Sequence, residues 1–145
     1  MRVLHITSEF TKKNYSISSL ILSISAYLFK NFKINYSYLA CKSDKFLFTD
    51  NIRTNRKLSK WSSYFLIQRE LKKVVFNHDC IHIHGIWAPI QLFSIIICNK
   101  LNLNFTIHPH GMLLPEALRS AGHVKFFFKF ITLFILKKIL TTKLN

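Results

Sequence analysis

The sequence predicts an α/β fold: a three-layer domain whose mainly parallel sheet is covered by helices on both faces. Two observations lead to this fold class. Apolar runs of strand length alternate along the chain with longer segments that have helical periodicity. The strand-like runs are almost continuously apolar, which is typical of parallel strands buried on both faces. At 145 residues, the chain also has the length of one domain.

The first part of the chain predicts two strands and the helix between them. An apolar run at 2–6 predicts a buried first strand, and the polar residues at 7–16 predict a loop. Apolar residues three and four positions apart then predict a helix over 17–32. β-branched and aromatic residues predict a second strand at 33–41, and the basic, polar segment 42–57 predicts a loop.

The rest of the chain continues the alternation. Gly85 ends one of its strands, and Pro109 favours extended backbone at His108 and ends the pairing of another. Gly122 lies inside the final helical pattern and predicts an interruption there. In chain order, the predicted elements are a helix over 58–76, a strand over 79–84, a helix over 88–101, a strand over 104–110 and a helix over 115–140.

Two pairs of histidines stand at the ends of two of these strands. The segment CIHIHGIW, 80–87, carries His82 and His84 before a glycine, and IHPHGML, 107–113, carries His108 before a second histidine and glycine. Sites in open parallel sheets form outside the carboxyl ends of the strands. We therefore expect the two motifs to lie together at the mouth of a cleft, near the loop after the first strand.

The histidines could bind zinc, with Glu9 and Glu116 as further ligands, but no spacing in the chain matches a recognised zinc site. Alternate residues of a strand face the same side, so His82 lies one residue pair deeper than the histidine that ends its strand. We therefore expect no metal site, and we interpret His5, His82 and His108 as buried, hydrogen-bonded core residues.

The chain is strongly basic, because 21 Lys+Arg against 6 Asp+Glu give a formal net charge of +15. Such a charge favours an anionic partner, either a phosphorylated substrate, a lipid headgroup surface or nucleic acid. A compositional bias toward lysine would produce the same excess. The sequence has no helix-turn-helix, RNP-like strand or zinc finger, so we expect no nucleic acid partner. Glycine-rich phosphate-binding motifs are also missing.

The three cysteines lack C-x-x-C spacing and the N-terminus is not typical of a signal peptide, so we expect a cytoplasmic location. The apolar run 126–136 is too short to span a bilayer and contains a lysine. The mixed basic and apolar segment 125–144 suits a helix that lies at a membrane surface, which keeps a peripheral position at the inner face of the membrane open. The lysines that would reach anionic headgroups are Lys125, Lys129, Lys137 and Lys138.

Residues 81–120, IHIHGIWAPIQLFSIIICNKLNLNFTIHPHGMLLPEALRS, resemble the N-terminal domain of the family 4 (group 1) glycosyltransferases, which are retaining GT-B enzymes. The resemblance rests on H-x-H-G-x-W after one strand and P-H-G-M-L-x-P-x-A-L after the next. The opening MRVLHITSEF is similar to the family's first strand. The resemblance implies a Rossmann-like domain, the N-terminal half of a GT-B fold, with residues 1–145 as the acceptor-side domain.

The same resemblance implies a function and a set of site residues. The enzyme would transfer a sugar from a nucleotide-sugar, a co-substrate and not a resident cofactor, to a glycan or lipid-linked acceptor in cell-surface polysaccharide assembly. His110 would be the catalytic residue beside the transferred sugar. The loop after the first strand lacks the family's glycine pair, and Lys12, Lys13 and Asn14 would substitute for it beside the donor diphosphate through charge and side-chain donors. The substrate-binding residues implied are His84, Gly85, Trp87, Gly111 and Asn14.

The end of the chain is a second departure from the family, after the missing glycine pair. The resemblance implies that the chain stops before its first domain is complete, and that the donor domain with its E-x7-E signature lies outside it. A C-terminal donor domain or a separate chain would then have to supply the donor-binding half. The alternative function is a non-catalytic basic module that docks on an anionic membrane or on a partner polypeptide.

Overall fold

The predicted α/β fold with a parallel sheet is confirmed. The computed structural model describes residues 1–11, 15–43, 52–119 and 123–143. The strands are β1 (Arg2–Phe10), β2 (Asn35–Ser43), β3 (Ile52–Thr54), β4 (Cys80–His84) and β5 (Phe105–His108). The helices are α1 (Tyr15–Phe32), α2 (Tyr64–Val75), α3 (Pro89–Lys100), α4 (Pro115–Arg119) and α5 (His123–Lys143).

The strands form one sheet in the order β3-β2-β1-β4-β5, and every neighbouring pair is parallel. The chain begins in the middle, so the direction in which strands are added reverses between β1 and β4. In the register of the sheet, His5 of β1 stands between Tyr38 of β2 and His82 of β4. A reversal of this kind opens a crevice at the carboxyl ends of the two central strands, which is the usual ligand position in such sheets.

The two faces of the sheet are covered by different helices. On one face, α2, α3 and α5 pack over strand residues that include Leu4, Ile6 and Ile83. On the other face, α1 packs over Val3 and Tyr38. Successive side chains of a strand point to opposite faces, so the alternating strand residues supply both apolar layers. The histidines described below belong to the α1 face.

The first strand is longer than the sequence predicts. The prediction of a loop over 7–16 is wrong for its first four residues, because β1 continues to Phe10 and pairs Glu9 with Lys42 of β2. The apolar pattern could not predict this extension, because backbone hydrogen bonds between strands form equally well between polar residues. Phe10 is fully buried on the α1 face, so the end of β1 is anchored in the core.

The predicted loop 42–57 and helix 58–76 also need correction. The loop region holds the end of β2 and the three-residue strand β3 at the edge of the sheet. Two 3-10 turns, Arg56–Ser59 and Trp61–Ser63, come next, so α2 begins only at Tyr64. A strand of three residues is too short to show a period, and a 3-10 turn that buries Leu58 imitates the start of a helix.

The single helix predicted over 115–140 is two helices, α4 and α5. Gly122 lies between them, outside the described residues. The inner side of α5 carries Leu136, which is buried in the core of the α2–α3 face, whereas Phe130 and Phe134 are exposed. Among the described helices, none combines the length and the apolar character needed to cross a membrane.

Candidate functional site

Five histidine side chains meet on the α1 face of the sheet. His5 comes from β1, His82 and His84 from β4, His108 from the end of β5, and His110 from the turn beyond it. Neighbouring rings are about one strand spacing apart, with 5.1 Å between the ring centres of His5 and His84. The H-x-H spacing produces this row because residues two apart on a strand face the same side.

Hydrogen bonds connect three of these rings into a chain. Nδ1 of His5 lies 2.8 Å from Nε2 of His84, and Nδ1 of His84 lies 2.9 Å from Nε2 of His110. At the inner end, Oγ of Ser25 on α1 lies 3.5 Å from Nε2 of His5. The sequence predicts His5 only as a core residue, and no pattern in it distinguishes Ser25. His5 is buried, but it also contacts the predicted site.

The remaining two histidines form a separate pair, with Nδ1 of His82 2.8 Å from Nε2 of His108. Both contacts between the two motifs join residues 26 positions apart in the chain. In the register of the sheet, His84 stands opposite His108, so each contact runs diagonally to the residue two positions further on. His82 and His108 are half-buried and lie beside the three-ring chain rather than deep in the core.

The backbone turns sharply after each of the two strands. Gly85 has a φ of +92°, and Gly111 has a φ of +76°. His110 also has a positive φ, +48°, which costs a residue with a Cβ about 1–2 kcal/mol. Strained backbone of this kind persists where the surrounding structure holds it, and it is common at functional sites. Here the turn directs the ring of His110 back toward His84.

Gln91 holds the loop between β4 and α3 in place. Its side chain is 2% exposed, its NH₂ group donates to the backbone oxygen of His84, and its Oε1 accepts from the backbone N–H of Ala88 at 2.9 Å. A Cβ at Gly85 would lie 2.4 Å from Nε2 of Gln91. No motif pointed to Gln91. The feature of the sequence that could have indicated it is its position, as a single amide residue within the apolar pattern of α3.

The predicted substrate-binding residues do not all lie together. The structure places Gly85 and Gly111 directly after His84 and His110 in the two turns. Trp87 instead packs against the core on the opposite face of the sheet, with Nζ of Lys129 5.5 Å from the centre of its ring. It does not line the space next to the histidines. Asn14 lies outside the described residues.

A groove of about 430 Å³ lies between α1 and the row of histidines. This volume is within the range of small-molecule sites. The imidazoles form one wall, and apolar side chains of α1 form the other. The exposed fractions of Leu20 and Ile24 are 48% and 46%, so the α1 wall is partly open to solvent. The described lining contains no carboxylate and no lysine or arginine side chain.

Burial keeps the imidazoles of this groove neutral. Burial, together with a smaller contribution from the neighbouring histidines, lowers the pKa of His5 from 6.5 to about 3 and that of His84 to about 2. The pKa values of His82, His108 and His110 are also lowered, mainly by burial. At neutral pH, each ring therefore offers one N–H donor and one bare nitrogen acceptor.

The described side chains include no group of three or more histidine, cysteine, aspartate or glutamate residues placed to hold a metal ion. The ring nitrogens contact one another instead, at the distances of ordinary hydrogen bonds. What the arrangement offers chemically is a row of neutral hydrogen-bonding groups that runs from the middle of β1 to the carboxyl ends of β4 and β5, beside an apolar groove.

Comparison with known proteins identifies a structural relative but no sequence family. No family model matches the chain, and no curated protein sequence matches it significantly. The fold is similar to the crystal structure of UDP-GlcNAc 2-epimerase from Neisseria meningitidis bound to UDP-GlcNAc, with a TM-score of 0.57 and 12% sequence identity. The match covers 91% of this chain and 38% of the epimerase chain.

At this level of identity, the similarity shows the fold alone. The chain spans well under half the length of the epimerase that it matches. The topology, the parallel register and this structural match together show an α/β domain with a Rossmann-like fold similar to that of the epimerase.

Proposed function

We propose that this chain is the acceptor-side domain of a retaining glycosyltransferase. It would act in cell-surface polysaccharide assembly, in the cytoplasm or at the inner face of the membrane, on a nucleotide-sugar and a glycan or lipid-linked acceptor. The observation that supports this most is the His84–His110 contact at the carboxyl ends of β4 and β5, in a GT-B-like fold. The proposal includes a donor-binding half, supplied by a C-terminal domain or a separate chain.

A neutral His110 suits this reaction. The bond between C1 of the donor sugar and the phosphate oxygen breaks, a bond from C1 to the acceptor oxygen forms, and the acceptor's proton passes to the departing phosphate. Positive charge develops on the sugar ring in the oxocarbenium-like transition state. An uncharged imidazole can hydrogen-bond a sugar hydroxyl without placing a like charge beside that ring. The lowered pKa of His110, caused mainly by burial, supports this role.

The test is sugar transfer from labelled UDP- and GDP-sugars by this chain together with a donor-binding domain. We expect His110→Ala to lower kcat/KM by about 100-fold or more, the usual effect of removing one group that stabilises developing charge. The matched control is His78→Ala, because His78 lies just before β4, at the opposite end of the strand, and contacts the backbone oxygen of Val74. Full activity of His110→Ala would rule out its role, and no transfer from any donor would contradict the function.

The second candidate function, docking on an anionic membrane, has one supporting observation. Phe130 and Phe134 are exposed one turn apart on α5, in a chain with a net charge of +15. Lys129 does not fit the predicted headgroup contact, since it donates to the backbone oxygen of Ala117. Co-sedimentation with phosphatidylglycerol vesicles is the measurement. If docking is the function, F130S/F134S should abolish binding, whereas the exposed control Phe65→Ser on α2 should not.

A further inference from the structure

We propose that Ser25, His5 and His84 form a hydrogen-bonded relay that couples the tautomer of His110 to the tautomers of the two buried rings. In this relay, His5 and His84 are positioning residues that act through the rings they contact. The proposal rests on the geometry of three consecutive contacts that run from α1 through β1 and β4 to the turn after β5. Its consequence for catalysis rests on the proposed sugar transfer, but the relay itself can be tested without it.

The two ring-to-ring contacts permit only two arrangements of protons. A neutral imidazole has one N–H and one bare nitrogen. If His5 carries its proton on Nδ1, it donates to Nε2 of His84, which must then carry its own proton on Nδ1 and donate to His110. If His5 carries its proton on Nε2, both contacts run in the opposite direction. All three rings therefore have the same tautomer in either arrangement.

Mixed tautomers are disfavoured because of where the contacts lie. With one ring reversed, two N–H groups or two bare nitrogens would face each other at 2.8 or 2.9 Å. His5 and His84 are 4% and 7% exposed, so water cannot easily satisfy the groups left without a partner. Burial also keeps both rings neutral at pH 7, since it lowers their pKa values to about 3 and about 2.

The two ends of the relay differ in chemistry. At the inner end, the hydroxyl of Ser25 can either donate to or accept from Nε2 of His5, so it accommodates both arrangements. At the outer end, Nδ1 of His110 is a donor in one arrangement and an acceptor in the other. A substrate hydroxyl beside His110 would therefore meet a group whose hydrogen-bonding role is coupled to the tautomers of His5 and His84.

The pair formed by His82 and His108 provides an internal control. It contains the same kind of contact, at the same 2.8 Å, but no hydrogen bond connects it to the relay. Its rings stack beside those of the relay, with 4.9 Å between the ring centres of His84 and His108. A substitution in this pair disturbs the packing of the site without breaking the relay. It therefore separates the effect of a lost relay hydrogen bond on His110 from the effect of disturbed packing.

The direct experiment is NMR of the full chain labelled with ¹⁵N-histidine, at pH 7.5. Long-range ¹H–¹⁵N correlations assign a tautomer to each ring. We expect one shared tautomer for His5, His84 and His110. Different tautomers within this set, or the averaged shifts of a freely exchanging imidazole, would overturn the proposal.

Two variants test whether the tautomer of His110 depends on the buried end of the relay. His5→Phe keeps an aromatic ring against Tyr36 and Tyr38 but removes the first contact. We expect the tautomer ratio of His110 to change by about 10-fold, the effect of one net hydrogen bond. His82→Phe should leave that ratio unchanged. Equal effects of the two variants on His110, or no effect of His5→Phe, would contradict the relay.

A third variant covers the case in which His5→Phe does not fold. Ser25→Ala suits a helix and removes only the hydroxyl at the inner end. We expect the three rings to keep one common tautomer in this variant, whichever of the two it is. Rings of His5, His84 and His110 with different tautomers would again exclude the relay.

Activity measurements distinguish failure of the relay from failure of the proposed function. If the chain transfers sugar, His5→Phe should lower kcat by about 10- to 100-fold with little change in KM, because a positioning residue acts on the geometry of the reaction. Shared tautomers without any transfer would support the relay and contradict the function. Transfer with different tautomers in the three rings would support the function and contradict the relay.

Discussion

Gly85 and Gly111 both have a left-handed backbone, but a side chain would meet different surroundings at the two positions. At Gly85, a Cβ would lie 2.4 Å from the amide nitrogen of Gln91, whereas at Gly111 the nearest atom would be Cδ1 of Leu114 at 3.5 Å. The first position therefore requires glycine for its conformation and for space. The second requires it for conformation alone.

This difference gives a prediction at the residue scale. We expect Gly85→Ala to lower the free energy of unfolding by about 2–4 kcal/mol, because it adds displacement of a buried hydrogen-bonded amide to the conformational cost. Gly111→Ala should cost only about 1–2 kcal/mol. Urea denaturation of the two variants measures both values. Equal losses would show that Gln91 moves aside without cost.

Some residues of the candidate site could be predicted from the sequence, and others could not. The H-x-H-G motifs placed His84 and His110 near one another, and the structure brings them into contact. Their catalytic and binding roles stay predictions. The participation of His5 could not be predicted, because it depends on the register between β1 and β4, which no local pattern contains. Ser25 looked like any polar residue of an amphipathic helix.

At the scale of elements, β4 is the strand that contributes both to the apolar core and to the row of histidines. It lies between β1 and β5, and its alternate residues serve both faces of the sheet. Ile81 and Ile83 point into the core under α2 and α3, while His82 and His84 point toward α1. This alternation explains why the strand could be predicted from 79–84, close to its observed span. It also explains why the strand continues through two histidines: they occupy the positions that face α1, while the isoleucines between them stay in the core.

Ile83 provides the prediction for this element. It is completely buried on the α2–α3 face, so Ile83→Ala removes packed atoms and leaves a cavity. We expect a loss of about 2–5 kcal/mol in the free energy of unfolding. The control is Phe65→Ala on α2, where the side chain is 79% exposed, and the expected change is within about 0.5 kcal/mol. Chemical denaturation followed by circular dichroism measures both, and similar losses would contradict the described burial.

Elements with strong apolar periodicity were predicted well, and those without it were not. The helices α1 and α3 were found within two residues of their observed ends. The polar end of β1, the short edge strand β3 and the 3-10 turns before α2 were missed. Their existence is decided by pairing and packing with distant segments, and their own composition resembles that of a loop.

At the scale of the whole molecule, the buried histidines predict loss of stability in acid. Their folded pKa values, about 3 for His5 and about 2 for His84, lie below the ordinary value of 6.5. The unfolded chain therefore binds more protons as the pH falls below 6.5, and stability decreases until the folded pKa values are reached. Between pH 7 and pH 5, each of these two histidines should cost about 2 kcal/mol.

The measurement is the free energy of unfolding at pH 7 and pH 5, from urea denaturation at constant ionic strength. Because His5→Phe removes one of the two groups, it should reduce the pH-dependent loss by about 2 kcal/mol. Phe65→Ser, an exposed substitution that removes no titratable group, should leave the loss unchanged. The aromatic groups that face His5 from β2, Tyr36 and Tyr38, stay uncharged across this range, since burial raises the pKa of each. An equal pH dependence in wild type and His5→Phe would contradict this assignment.

The common separation of 26 residues in the two motif contacts has a consequence for how the site can fail. Both contacts depend on one quantity, the register of β5 against β4. A slip of one residue would turn the β5 side chains to the other face and remove both contacts together. The two histidine contacts therefore report the alignment of β5 with β4. A chain with the wrong register would lose both contacts together, whereas loss of a single side chain would remove only one.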